Sequence, residues 1–533
     1  MPFLKRSPRA QKQVSQAVTI PAPIGGLNVR DSIALMPDTD AIVLKNIFPT
    51  SYGCLVRKGF KEHATNLPGK VQTLMSYNSR SGTNVLLGAV PDEIYDVTSS
   101  GDYTAATPKY TGLSNALWQH VNFANSAGSH LVAFNGADDG IWYNGTTYAR
   151  LTAGDGIVSG TINGVDPADV IHCCVHQRRL WMVPVGSTKA YYLPVDSVYG
   201  VAASFDFGPW MSSGGYLTAI YTWSIDSGTG SDDHLAAITS EGQIIVYKGT
   251  DPADSSAWAL VGVYSQGTPV GRRCAVKYAG DLAVMTQFGL ISLTQSLVST
   301  KVANTPDTAF TNKIQALISD LVGVYSSLDG WQILVYPNAN MLILNVPVSA
   351  TQSIQLAMNT ITKAWGQFDG VNALCWELHY STPFFGVDGT VYRFWEGHRD
   401  AADSAGNGGV KVSYEGQTAF NYFKSPGIQK HFKMARATFI GNADPGHYFA
   451  VNTDFELSTV YGSSIMTGIS SGIWNQSYWN QAFWGGGDKT YKPWGSVEGI
   501  GTAGSFRIKG DASGEVLWTS VDWIYEKAKG ALI

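Results

Sequence analysis

Hydrophobic and polar positions alternate with tight turns along most of the chain. The run Leu235–Gly249, LAAITSEGQIIVYKG, reads as an apolar strand, a turn at Ser240-Glu241-Gly242 and a second apolar strand. The unit recurs as LVAFNGADDGIWYNG at Leu131–Gly145, LAVMTQFGLISL at Leu282–Leu293 and PFFGVDGTVYRFW at Pro383–Trp395. Turns of this kind between β-prone runs are hairpin signals. Their recurrence every few tens of residues marks a repeat architecture. Units are expected at Val71–Thr98, Trp118–Leu151, Ile171–Leu193, Tyr216–Tyr264, Arg272–Leu293, Val324–Phe368 and Leu374–Trp395. Continuous apolar runs such as Met341–Leu344 and Ile244–Tyr247 suit strands buried on both faces, as in the stacked blades of a β-propeller. Tryptophans near the unit ends (142, 181, 258, 331, 365, 376 and 395) supply bulk between blades. The pattern predicts an all-β protein with a propeller of about seven blades over 70–400. A sandwich or several barrels would give a similar pattern.

Other stretches interrupt the repeat. Residues 1–24 form a basic arm, with Lys5, Arg6, Arg9 and Lys12 and no acid before Val18. A frayed terminus is the plain reading, and an arm that orders on an acidic partner is the sharper one. Residues 25–69 form a lead-in segment, with Asp38 capping a short helix over Thr39–Asn46 and a strand over Cys54–Phe60. One inserted helix is expected after Thr305-Pro306, with Phe310, Ile314, Leu317, Ile318 and Leu321 on one face. Residues 401–409, AADSAGNGG, read as a flexible joint. Residues 410–533 read as a C-terminal β domain, with a basic stretch from Lys424 through Arg436 and tryptophans at 474, 479 and 484.

Composition narrows the class. Of 533 residues only 14% are charged, 12% are aromatic and 58 are glycine, which suits β-structure with many turns and argues against coiled coil or disorder. The net charge of −5 excludes a basic nucleic-acid coat, so DNA contact would be local. Five scattered cysteines (54, 173, 174, 274 and 375) are no disulfide framework and fit a reducing cytoplasm. No apolar region follows the N-terminal cations and no run approaches the roughly 18 apolar residues of a membrane helix, so neither a signal peptide nor membrane insertion is expected.

Candidate chemistry is sparse. On a strand, His172, Cys174 and His176 of HCCVH would share a face and offer ligands to zinc, although packing in a blade strand is the stronger reading. Gly468–Gly472 matches G-x-S-x-G without the strand and helix that a nucleophile elbow needs. Asp226–Asp233 is acidic but lacks the EF-hand order. Ser327–Trp331 is a fragment of an Asp-box, and Glu377 and Glu396 are carboxylates in apolar surroundings, more in keeping with strand ends than with glycan hydrolysis. No catalytic residue, metal site or cofactor is assigned. The basic groups Arg178-Arg179, Arg272-Arg273 with Lys277, and Lys424–Arg436 are the places where DNA contact would arise.

The lead-in segment carries Gly25-Gly26-Leu27-Asn28, Asp31-Ser32, Met36-Pro37, Asp40-Ala41, Leu44, Asn46, Pro49 and Arg57-Lys58-Gly59-Phe60. Together these resemble the opening of the tail nozzle proteins of short-tailed bacteriophages, some described as packaged-DNA stabilisation proteins. Thr418–Phe423 with Gln429–Met434, the repeated Trp-Asn-Gln-x-x-Trp before Phe483-Trp484-Gly485, and the ending around Tyr525-Glu526 and Gly530-Ala531-Leu532 are similar to that family as well. Lys527-Ala528-Lys529 departs from its usual small-residue ending. The resemblance implies a structural virion protein and not an enzyme. It implies six copies in a ring below a dodecameric adaptor, and a ring that extends the DNA channel, retains packaged DNA and opens for ejection. It implies tail fibres or tailspikes attached around the ring, assembly in the host cytoplasm and transient contact with double-stranded DNA. On that reading Lys5, Arg6, Arg9 and Lys12 are candidates for adaptor contact. Arg272, Arg273 and Lys277 are candidates for the DNA channel, whose lumen is expected to be mainly acidic and polar. The alternative is a propeller that binds or hydrolyses host glycans.

Overall fold

The computed structural model describes residues 15–80, 82–226, 231–298, 309–442, 445–458 and 489–528. The chain divides into two compact units, Lys58–Lys363 with Gln367–Val410, and Met1–Arg57 with Ala364–Gly366 and Lys411–Ile533.

The first unit is a β-propeller. Its hairpins form seven antiparallel sheets among the described residues, one for each unit read from the turn pattern. The first strands of blades one to four are Thr73–Tyr77, Gln119–Asn125, Val170–His176 and Leu217–Asp226. Those of blades five to seven are Ala275–Tyr278, Gln332–Tyr336 and Cys375–His379. Successive blades adjoin all the way round, and blade seven meets blade one. The ring closes through an early strand: Phe60–Thr65 pairs antiparallel with Val391–Phe394 and supplies the outer strand of blade seven. Residues from both termini of the unit therefore share one sheet, so no edge remains between first and last blades.

Face-to-face packing holds the ring. Trp181 of blade three stacks on Trp258 of blade four at 5.8 Å, and Trp258 stacks on Tyr247 at 5.5 Å. Between blades seven and one, Cys375, Phe384 and Val391 pack with Leu74, Leu86 and Val90. The apolar runs Ile244–Tyr247 and Met341–Leu344 are buried throughout, because each strand has a neighbouring blade on both sides.

The inserted helix spans Gln315–Tyr325 after a 3-10 turn at Asn312–Ile314. Ile314 of the turn and Ile318 of the helix are buried, as the predicted stripe has them, Leu317 and Leu321 are half-buried, and Val322 is buried besides. Thr305 and Pro306 lie outside the described residues. Residues 401–409 are not a loose joint. Arg399–Ala402 is a strand beside Lys61, Asp403 N donates to Asn407 O at 2.9 Å, and Arg399 Nε donates to Gly408 O at 2.6 Å.

The second unit is a two-sheet sandwich. In one sheet Val516–Lys527 pairs with Gln16–Pro21, with Cys54–Val56 and with Lys430–Gly441. In the other, Asp40–Lys45 pairs with residues 415–418, and Gly504–Ala512 lies between residues 412–417 and His447–Thr453. Rings meet between the sheets, Phe506 on Trp523 at 5.9 Å and Phe439 on His447 at 4.9 Å.

The expected helix over Thr39–Asn46 is the strand Asp40–Lys45. Ile42 and Val43 are β-branched and favour a strand once a partner is present. The Asp40 side chain accepts from Asn28 Nδ2 at 2.7 Å instead of capping a helix. The lead-in segment is thus no separate piece: it belongs with the C-terminal residues up to Arg57 and with the propeller from Lys58. The expected strand Cys54–Phe60 divides at that boundary into Cys54–Val56 and Phe60–Thr65. Among the described residues no helix is long and apolar enough to cross a membrane.

Candidate functional site: the central chamber of the propeller

The inner strands of the blades stand around the propeller axis. They enclose a cavity of about 340 Å³ to which all seven blades contribute. Its polar wall comes from Gln119 and His120 of blade two, Thr222 of blade four, Arg273 and Lys277 of blade five, Gln332 of blade six and Glu377 of blade seven.

Arg273 sets the geometry. Its Nη1 donates to Gln332 Oε1 at 3.1 Å, and its Nη2 donates to Thr73 Oγ1 at 2.7 Å and Trp118 O at 2.8 Å. One guanidinium thus ties blade five to blades six, one and two. It also lines a second cavity of about 60 Å³ bordered by Arg272, Asp329 and Trp331. Arg273 and Gln119 thus border both cavities. Burial pulls its pKa below the ordinary arginine value, and the negative charge of Glu377 is among the effects that oppose this. His120 Nε2 stands 3.7 Å from Glu377 Oε2.

The three candidates of the basic cluster occupy different situations. Arg272 Nη1 donates to Asn135 O at 3.3 Å, and burial lowers its pKa. Arg273 is fixed as described. Lys277 is exposed and makes no ion pair among the described residues. All three lie on or just before the inner strand of blade five. Lys5, Arg6, Arg9 and Lys12 lie outside the described residues.

HCCVH falls on the inner strand of blade three, Val170–His176. His172 Nδ1 accepts from Ile220 N at 3.4 Å, and its ring meets Tyr221 edge-on at 4.9 Å. Burial, helped by the charge of Arg272, pushes its pKa down to about 3. Burial likewise pushes His176 down to about 4. Cys173 packs toward blade two with Phe123 and Val132, and Cys174 toward blade four with Trp181 and Trp258. Burial pushes the Cys174 thiol up to about 12, which leaves it protonated and inert at neutral pH. The expected alternation is present, yet among the described residues no three His, Cys, Asp or Glu side chains converge on a common point.

The remaining candidates are engaged within the chain. Arg178 pairs with Asp196, and Arg179 with Asp251 at 3.4 Å. Lys430 is fully buried and donates to the carbonyls of Ser425, Ile428 and Thr502 at 2.8, 3.0 and 2.6 Å. Burial pushes its pKa down to about 8. Arg436 donates to Asp522 at 2.7 Å. Glu396 faces Arg393 at 3.8 Å. Trp331 of the Asp-box fragment is buried and donates to Tyr325 O at 3.0 Å. Residues 227–230 at the tip of the acidic hairpin, and the G-x-S-x-G stretch, lie outside the described residues. Sequence reasoning singled out Glu377 but missed its neighbour His120. The signal for that pair is positional: both lie on the first strand of a hairpin unit, which lines the axis.

No family model matches the chain, and no curated protein matches it. Among solved structures the chain is similar to BBS1N in complex with ARL6DN, at 11% identity over 64% of this chain and 98% of that one, with a TM-score of 0.37. It is similar to the β-propeller domain of Swd1 from Myceliophteria thermophila, at 11% identity over 61% and 99%, with a TM-score of 0.35. Raptor from Chaetomium thermophilum matches at 8% identity over 64% of this chain and 28% of that one, also with a TM-score of 0.35. The propeller assignment rests on the closed ring of seven sheets, and nothing about activity follows from these likenesses.

Proposed function

We propose that this chain is a structural tail component of a short-tailed phage, a nozzle subunit that assembles as a hexamer below the adaptor. Gly25–Arg57 of the lead-in and Thr418–Phe423, Gln429–Met434 and Tyr525-Glu526 from the other end, all among the stretches that resemble the nozzle family, belong to one compact unit, and this observation carries the reading. Gly25 has no room for a side chain, since a Cβ would stand 2.1 Å from Asp40 Oδ1. Gly26 has φ +80°, and a Cβ there would lie 2.6 Å from Trp365 N. Asn28 binds Asp31 and Asp40 at 2.9 and 2.7 Å, and buried Arg57 donates to Asn46 at 2.8 Å. From the other end of the chain, Phe423 and Phe432 pack against Trp523, and Tyr525 packs against Phe423. Several of the residues that carry the resemblance thus make close contacts within this sandwich, which supports the reading.

A DNA conduit on this reading lies between copies of the chain. The propeller's own chamber is bordered by Arg273 and is of small-molecule size. Arg272 and Arg273 direct hydrogen bonds to groups of the same subunit, which leaves fewer donors for phosphate contacts.

The test is quantitative mass spectrometry of gradient-purified virions, counting this chain against the adaptor. About one copy per two adaptor subunits is expected of a hexamer beneath a dodecamer. Absence from the virion sinks the reading.

A further inference from the structure

We propose that the central chamber is a binding site for a small polyhydroxylated monocarboxylate, of the size of a sugar acid. The chamber has room for roughly eleven waters at the liquid volume of each, and its 340 Å³ lies within the range of small-ligand pockets. Its wall mixes apolar side chains such as Leu74, Val121 and Ile333 with the polar Gln119, His120, Thr222, Gln332 and Glu377. The fixed charges there are Arg273, Lys277 and Glu377, which sum to one positive charge when His120 is neutral. His172 is neutral and adds none. Arg273 gives three hydrogen bonds to the chain itself. Lys277 makes no ion pair among the described residues and is the cation left to meet a carboxylate. The His120 and Glu377 side chains, 3.7 Å apart, offer a donor and an acceptor suited to vicinal hydroxyls. This inference concerns the propeller alone and stands whether or not the chain is a nozzle subunit.

Isothermal titration of the full-length protein with gluconate, and separately with neutral glucose, tests it. One gluconate per chain and no heat from glucose are expected. Lys277→Met should weaken gluconate at least about tenfold, the loss of one charge-assisted contact. Lys277→Arg should keep the site, and because Lys277 is exposed both variants should melt like the parent. No heat from gluconate, equal heats from the two sugars, or an isotherm unchanged by Lys277→Met would overturn the proposal.

Discussion

The propeller and the terminal sandwich are both β-structure, but they are wired differently. In the propeller, paired residues lie close along the chain, as with Leu235 and Tyr247 or Leu342 and Met358. In the sandwich they come from opposite ends, as with Gln16 and Tyr525, Lys45 and Glu415, or Leu55 and Leu517. Closing a long loop costs entropy before any contact repays it, whereas a hairpin closes over a few residues. The propeller can therefore form blade by blade, while the sandwich needs both termini present.

The largest effect follows from that contrast. Residues 58–410 expressed alone should give a cooperative thermal melt with a β-type circular dichroism spectrum. Residues 411–533 alone should give none, because Val516–Lys527 loses its partners Gln16–Pro21 and Cys54–Val56. A cooperative melt from 411–533 alone would break the comparison.

The same contrast explains what the sequence shows and what it hides. All seven blades are legible because each announces itself in a local turn, such as Ser240-Glu241-Gly242 between two buried runs. The strand Asp40–Lys45 is not: its partners at 415–418 are remote, and alone its pattern suits a helix. The closing strand Phe60–Thr65 is hidden for the same reason. At the chamber, Arg272, Arg273 and Lys277 stand out as a cluster of cations. That Arg273 is held in place depends on Thr73, Trp118 and Gln332, which the ring alone brings together.

Acid should distinguish the units next. His172 binds its proton only near pH 3 in the fold, against about 6.5 unfolded. As pH falls below about 6.5, the unfolded chain takes up a proton that the folded chain refuses, so stability is lost progressively toward pH 3. By pH 4.5 the loss from this one group is roughly 2–3 kcal/mol. In the sandwich, Asp454 accepts from Thr502 Oγ1, Thr502 N and Ala503 N, which outweigh burial and hold it below its ordinary value. Its contribution is present above about pH 4 and lost only below, as the unfolded and then the folded carboxyl protonates. His172→Phe should cost about 1 kcal/mol at pH 7 through the lost bond to Ile220 and should lessen the fall of the propeller's urea midpoint between pH 7 and 4.5, the remainder coming from groups such as His176. An unchanged acid slope would show that His172 is not the group responsible.

The smallest effect concerns charge. Arg178 sits at a hairpin turn with its side chain 73% exposed, and its pair with Asp196 should be worth little, so Arg178→Ala should shift stability by less than about 0.5 kcal/mol. Arg436 lies directly across the ladder from Asp522, donates to it at 2.7 Å and stacks on Trp494 at 4.2 Å, with its side chain 21% exposed. Arg436→Ala should cost about 1–2 kcal/mol in the sandwich transition, from a cross-strand pair together with a cation–π contact. Chemical denaturation in urea at low and at 1 M salt separates the two, since screening removes only the exposed pair. The outcome also decides what the stretch from Lys424 to Arg436 is for. Lys430 is held by three carbonyls, Lys433 faces Glu526 at 3.9 Å and Arg436 belongs to Asp522. If Arg436→Ala destabilises the sandwich while the salt dependence of DNA binding stays flat, these cations hold strands together and are not a phosphate track. A DNA-binding slope that falls by about one on losing Arg436 would assign that residue to phosphate instead.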